Sequence, residues 1–141
     1  MSELYLFDTN ILIHIVRSNE IGERIKARYK PFALDPRPRF CVVSEGEMRS
    51  LALQFSWGPP KLNQMEFALA HFGRFTIDKP TVMSAYASID AYSKAIGVKM
   101  GKNDLWIAAT AYDSDSRLVT TDSDFDHLVP AILTVDKIET R

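Results

Sequence analysis

The chain has 141 residues, with 17 Lys plus Arg against 18 Asp plus Glu, a formal net charge of −1, 46% hydrophobic and 25% charged residues. These ordinary globular values exclude disorder, collagen and coiled coil as the main character, and they argue against a strongly basic protein that coats nucleic acid, though not against a local basic rim. The single cysteine, Cys41, excludes an intramolecular disulfide and a multi-cysteine zinc site. No apolar run approaches the roughly 18 residues that a membrane span needs. The opening MSELYLFDTN has an acidic residue and an early break, so it does not read as a signal peptide. A single domain over 1–141, in the cytoplasm and without membrane contact, is the expectation.

In chain order, Leu4 to Phe7 is a short apolar run whose length fits a buried strand, stopping at Asp8. Ile11, Leu12, Ile15 and Val16 then follow at helical spacing, so Asn10 to Arg17 is predicted helical, and Ile21 to Tyr29 is a second, more polar helix. Pro31, Pro36 and Pro38 break the chain before a strand at Phe40 to Val43. A helix is expected from Ser44 through Phe55, a loop at Trp57-Gly58-Pro59-Pro60, a helix from Asn63 to Phe72 and a brief strand from Phe75 to Ile77. Thr81 to Ile96 reads as a longer helix ending at Gly97, a suitable residue just past a helix end. Lys102 to Asp113 is an Ala-rich helix, Leu118 to Thr121 a strand, Phe125 to Leu128 a helical turn and Ile132 to Val135 a last strand. Strands alternating with helices predict an α/β sandwich, three layers α/β/α, around a mostly parallel sheet. In such sheets ligands sit outside the carboxyl ends of the strands.

Acidic residues occur where these strands end. Asp8 closes the first strand, Glu47 lies in the first turn of the helix after the second, Asp104 lies in the first turn of the Ala-rich helix, and Asp122 and Asp124 follow the strand at 118–121. Three or four carboxylates in one pocket raise each other's pKa and call for a compensating cation. A hard divalent ion with oxygen ligands, Mg²⁺ or Mn²⁺, suits them best. Such an ion acidifies a bound water and stabilises charge on a phosphoryl oxygen, so the implied chemistry is phosphodiester hydrolysis without a covalent intermediate. Each acid also has an ordinary explanation. Asp8 could simply cap the next helix. Ser44-x-x-Glu47 and Thr121-x-x-Asp124 both match a capping box, and Asp104 suits the helix dipole. What these explanations leave out is the recurrence of acids at successive strand ends.

The same segments carry a family resemblance. Leu6-Phe7-Asp8-Thr9-Asn10-Ile11-Leu12-Ile13 resembles the opening of PIN-domain ribonucleases, and Val42-Val43-Ser44-Glu45-Gly46-Glu47-Met48 is similar to their second motif. Gly101-Lys102-Asn103-Asp104-Leu105-Trp106-Ile107-Ala108-Ala109-Thr110-Ala111 matches most closely, and Leu118-Val119-Thr120-Thr121-Asp122-Ser123-Asp124-Phe125 resembles the fourth motif. Order and spacing are similar to VapC-type toxins of toxin–antitoxin pairs, over about residues 3 to 137. The resemblance implies a PIN-like fold and a Mg²⁺- or Mn²⁺-dependent endoribonuclease. It implies catalytic acids at Asp8, Glu47, Asp104 and Asp122, with Asp8, Asp104 and Asp122 on the metal. Many relatives have a longer interval before the Asp-Phe pair, so the fourth acid falls on Asp122 or Asp124. Asn10 and Thr120 match positions that support the acids. An RNA substrate, a homodimer and a cognate antitoxin over the site are further implications.

Arg49, Lys99 and Lys102 are candidate contacts for RNA phosphates flanking the cut, although each also suits a solvated face. Trp57 and the adjacent prolines could stack a base or pack as a loop. His14, His71 and His127 lack partners at zinc-ligand spacing and read as structural, as does Cys41 in its apolar strand. Rival functions are a PIN-like metal- or RNA-binding module without catalysis, and an RNA-processing nuclease of the same fold that is not a toxin. A phosphotransfer or phosphatase domain is disfavoured, because Asp8-Thr9-Asn10 supplies no second carboxylate. Near-neutral charge predicts that RNA binding neutralises few phosphates. A plot of log affinity against log salt concentration is therefore expected to be shallow, and a steep slope would reveal a larger basic surface than the composition indicates.

Overall fold

All five strands are only three or four residues long. Their ladder hydrogen bonds alone cannot hold a sheet, so the fold rests on what the two sheet faces bury. The computed structural model describes residues 3–141. Its elements are β1 Tyr5–Phe7, α1 Thr9–Arg17, α2 Glu20–Tyr29, β2 Arg39–Cys41, α3 Val42–Gln54, α4 Pro59–His71, β3 Gly73–Phe75, α5 Pro80–Ala95, α6 Lys102–Asp113, β4 Arg117–Thr120, a 3₁₀ turn Asp126–Leu128 and β5 Thr134–Lys137.

Side-chain alternation along the strands sorts them into two cores. Phe7, Phe40 and Val119 join Ile11, Leu12, Ile15 and Val16 of α1, with Ile25, Met48 and Met65 from the next three helices. Leu6, Cys41 and Leu118 face the other way, against Ile89 of α5 and Leu105, Ile107 and Ala108 of α6. The result is the expected three-layer α/β/α sandwich. The sheet order is β3-β2-β1-β4-β5, and every neighbouring pair is parallel. The chain therefore travels outward from β1 to β2 and β3, then crosses back to lay β4 on the other side of β1. This reversal puts a topological switch point between β1 and β4, where an open parallel sheet leaves a crevice at its carboxyl edge.

Several boundaries differ from the sequence reading, each for a local reason. Helix α3 begins at Val42, directly after β2, with Cys41 at its N-cap and no side-chain cap bond. Ser44 is thus the third helical residue and Glu47 lies in the second turn, so no capping box forms there. Pro59 and Pro60 open α4 instead of forming a loop, because the first-turn amides of a helix have no partner to lose. Strand β3 lies two residues earlier than expected, aligned on β2 by the register Arg39 with Gly73 and Cys41 with Phe75. Strand β5 lies two residues later, since Leu133 is already packed in the second core. No helix is long and apolar enough to cross a membrane among the described residues.

The approach of α2 to α1 depends on one glycine. Gly22 is the third residue of α2, and a Cβ there would collide with the backbone carbonyl of His14 in α1. Gly22→Ala is therefore expected to destabilise the protein by about 1–3 kcal/mol, although alanine is the better helix former. The check is urea unfolding, with a lower midpoint at an unchanged slope.

Candidate functional site

The residue after β1 is Asp8, 3% exposed, at the switch-point crevice. Its carboxylate is held on both sides. The Thr9 amide donates to Oδ1 at 2.7 Å, and the Thr120 hydroxyl donates to Oδ2 at 2.7 Å. Asp8 therefore caps α1, as its position suggests, and is also tied across the sheet to the end of β4. The Thr120 hydroxyl in turn accepts from the Asp122 amide at 3.0 Å, and Asp122 Oδ1 accepts from the Asp124 amide at 3.0 Å. This second bond is an Asx turn, so the segment expected to form a capping box forms a tight loop instead. Asn10 donates from Nδ2 to the Thr121 hydroxyl at 2.9 Å and pins the same loop to α1.

Two more acids arrive from helices. Asp104 is the third residue of α6, where the unpaired amides of a helix start favour negative charge. Glu47 comes from α3, and its Oε1 accepts from the Thr9 hydroxyl at 2.6 Å. Thr9 also shares a 2.8 Å hydrogen bond with the hydroxyl of Ser44, which is fully buried. Thr9 and Ser44 were not singled out as supports of the site in the sequence. The link from Thr9 to Glu47 spans 38 positions, and no local pattern announces it.

The electrostatics follow from this crowding. Burial pushes the Asp8 carboxyl up to about 6 against the pull of its two hydrogen bonds, with the charges of Glu47 and Asp122 adding to the rise. Asp104 is pushed up to about 7, first by burial and then by the negative charges of Asp8, Asp122 and Asp124. Among the described residues none of Asp8, Glu47, Asp104, Asp122 or Asp124 takes part in an ion pair. Carboxylate oxygens of Asp104, Asp122 and Asp124 lie within 4.8 Å of one another. That spacing fits one shared hard cation, whose oxygen ligands stand about 2.0–2.6 Å from it. The grouping differs from the sequence-derived set at one member. Asp124 joins Asp104 and Asp122 in it, while Asp8 lies beside the group with its charge acting on Asp104.

The basic candidates separate. Arg49 donates to Glu45 at 2.9 Å and to both oxygens of Glu66 at 2.8 and 3.0 Å. These bonds tie Arg49 to α4 as well as to its own helix. Lys102 lines a cleft with Glu47, Gly101, Asn103 and Asp104, and Lys99 is exposed on the loop leading to it. Trp57 is packed in the first core, with Lys61 Nζ 5.8 Å from its ring centre. His14 bonds Asn19, His127 bonds Ser93 and His71 packs among Phe32, Phe67 and Phe72, while Cys41 is buried.

A comparison with family models matches residues 5–129 to the PIN domain. The chain belongs to the PIN domain family. Among solved structures it resembles VapBC2 from Rickettsia felis bound to a promoter DNA fragment, with a TM-score of 0.78 at 15% identity, covering 95% of this chain and 98% of that one. VapBC-1 from nontypeable Haemophilus influenzae gives 0.71 at 22%, covering 95% and 97%. VapBC-5 from Mycobacterium tuberculosis, a member of the VapBC family of toxin–antitoxin systems, gives 0.70 at 22%, covering 99% and 100%. At these identities the likeness is one of fold. A comparison with curated proteins finds no match.

A carboxyl raised by folding stabilises the protein fully below its unfolded pKa and loses that contribution as pH rises through its folded value. For Asp104 the window runs from about 4 to about 7. In EDTA at pH 8, Asp104→Asn is expected to be more stable than the unmodified protein by about 1–2 kcal/mol, a figure discounted for partial exposure. At pH 5 the gap should narrow. Urea unfolding at the two pH values checks this, and an equal gap at both would show that Asp104 is not the titrating group.

Proposed function

We propose that this PIN domain is a divalent-metal-dependent endoribonuclease that hydrolyses RNA phosphodiester bonds, and the toxin of a toxin–antitoxin pair. One observation carries the nuclease reading: five carboxylates meet at the switch point, Asp8, Glu47 and Asp122 held by hydroxyls and amides, and none of the five has an ion pair among the described residues. Elsewhere the chain does pair its acids. Glu45, Glu66 and Asp136 each face an arginine. A site that leaves its charge unbalanced suits a cation taken from solution.

In this reading Asp8, Asp104 and Asp122, with Asp124 beside them, would hold Mg²⁺ or Mn²⁺. The bound ion would lower the pKa of a water and offset charge developing on a phosphoryl oxygen. Glu47 borders the same cleft as Asp104. Thr9 anchors its Oε1, and Oε2 is left to orient the attacking water or take its proton. Thr120 holds Asp8 in place, and Asn10 holds the loop that carries Asp122 and Asp124. Lys102, at the rim, offers a positive charge to a flanking phosphate, and Lys99 lies on the approach to it. The antitoxin partner is inferred from the likeness to VapBC complexes. A homodimer and a cytoplasmic location complete the proposal.

The test is RNA cleavage by purified protein in Mg²⁺, Mn²⁺ or EDTA, with calorimetric metal titration alongside. Asp104→Asn should lose both metal affinity and cleavage, the latter by at least about 100-fold. Glu47→Gln should keep the ion while cleavage falls by about 10²–10⁴-fold. Metal binding without cleavage by the unmodified protein would identify a binding module. Cleavage that persists in EDTA and in Asp104→Asn would reject the acidic site.

A further inference from the structure

Glu47 borders more than the cleft at the site. A second cleft, of about 440 Å³, lies between α3 and the start of α6, lined by Gly46, Glu47, Ser50, Leu51, Gln54 and Asn103. It shares Glu47 and Asn103 with the cleft that holds Asp104 and Lys102, so the two adjoin at these residues. Glu47, Ser50, Leu51 and Gln54 recur at helical spacing and form one wall. At 1.5 Å per residue this wall runs about 10 Å along α3 from the site. A side-chain carbon at Gly46 would meet nothing within 4 Å, so the cleft is open where it leaves Glu47.

Beyond Glu47 the lining is uncharged but rich in hydrogen-bonding groups. Gln54 Nε2 donates to the Ser50 hydroxyl at 2.9 Å, which orders the amide and leaves its Oε1 and one N–H for another partner. Among the described residues no side chain bonds the Asn103 amide, and Leu51 supplies an apolar surface. A phosphate suits this cleft poorly, because it would sit beside a group of carboxylates without a cation in the wall. A nucleobase suits it well. It is neutral, it offers donor and acceptor edges that an amide can meet, and its face packs on an apolar side chain.

We infer that this cleft seats the nucleobase next to the scissile phosphate of single-stranded RNA and that Gln54 reads the edge of that base, an inference that rests on the nuclease reading above. Gln54 is then a specificity residue, outside the acidic machinery.

The test is selection from a randomised RNA oligonucleotide pool by the 141-residue chain carrying Asp104→Asn, so that bound RNA is read without cleavage. The expected result is enrichment of one base at one position, reduced about tenfold when Gln54→Ala is added. Gln54→Glu should move the preference toward bases presenting an amino group, because a carboxylate only accepts. Leu53→Ala, on the exposed side of the same helix, should leave the enrichment intact. Enrichment unchanged by Gln54→Ala overturns the inference, and so does a pool recovered with no base preference. Cleavage by the unmodified protein fails or succeeds separately, so the loss of base reading and the loss of the nuclease proposal are told apart.

Discussion

Mutual repulsion among carboxylates at the carboxyl edge of a parallel sheet is the constraint around which this structure is arranged. Asp8 is its centre. It is buried at the switch point and held by a main-chain amide and a hydroxyl, while the nearby carboxylates of Glu47 and Asp122 repel its charge. Keeping it there requires fixed dipoles, because an ion pair would satisfy the acid and close the site. The Thr120 hydroxyl is the clearest device. It donates to Asp8 while accepting from the Asp122 amide, so one side chain sets the spacing between the β1 and β4 ends.

The two cores serve the same end. Strands of three or four residues give little rigidity on their own, and the acids would drift apart if the sheet moved. Alternating Leu6 and Phe7 on β1, and Leu118 and Val119 on β4, lock both strands between helix layers immediately before Asp8 and Thr120. Helix starts supply the rest. α1 begins on Asp8, α6 brings Asp104 in its first turn, and α3 carries Glu47 one turn deeper. Glu47 reaches the site by meeting Thr9, a residue of the neighbouring helix.

Much of this was legible in the sequence, for identifiable reasons. Helix α6 runs over Lys102–Asp113 as its pattern predicts, since Gly101 marks its start and Leu105, Ile107 and Ala108 mark its buried side. Asp8, Asp122 and Asp124 stood out because they follow strands, and Glu47 and Asp104 because they lie near the starts of helices. Less legible were features that depend on distant partners. Ser44-x-x-Glu47 has the form of a capping box, but β2 ends earlier than its apolar run, so α3 starts at Val42 and the same residues turn toward Thr9. The pairing of Arg49 with Glu66 was not legible, because Glu66 lies on another helix. Asp122 and Asp124 appeared to be alternatives, whereas the Asx turn folds the loop so that both reach Asp104.

The contrast between paired and unpaired acids then separates structure from function within one chain. Asp136 on the edge strand β5 accepts from the Tyr29 hydroxyl at 2.7 Å and faces Arg117 at 3.1 Å, and Glu45 and Glu66 share Arg49. Those acids are anchored by permanent cations, and they join α2 to β5 and α3 to α4. The acids at the switch point have the opposite environment: hydroxyls hold Asp8 and Glu47, and Glu47 and Asp104 face an open cleft. A cluster serving only the fold would gain from an arginine in that cleft, as Glu45 does. Leaving it clear forgoes that gain. Because the uncharged wall of α3 adjoins the same opening, the position of the charge and the chemistry of its surroundings belong to one surface.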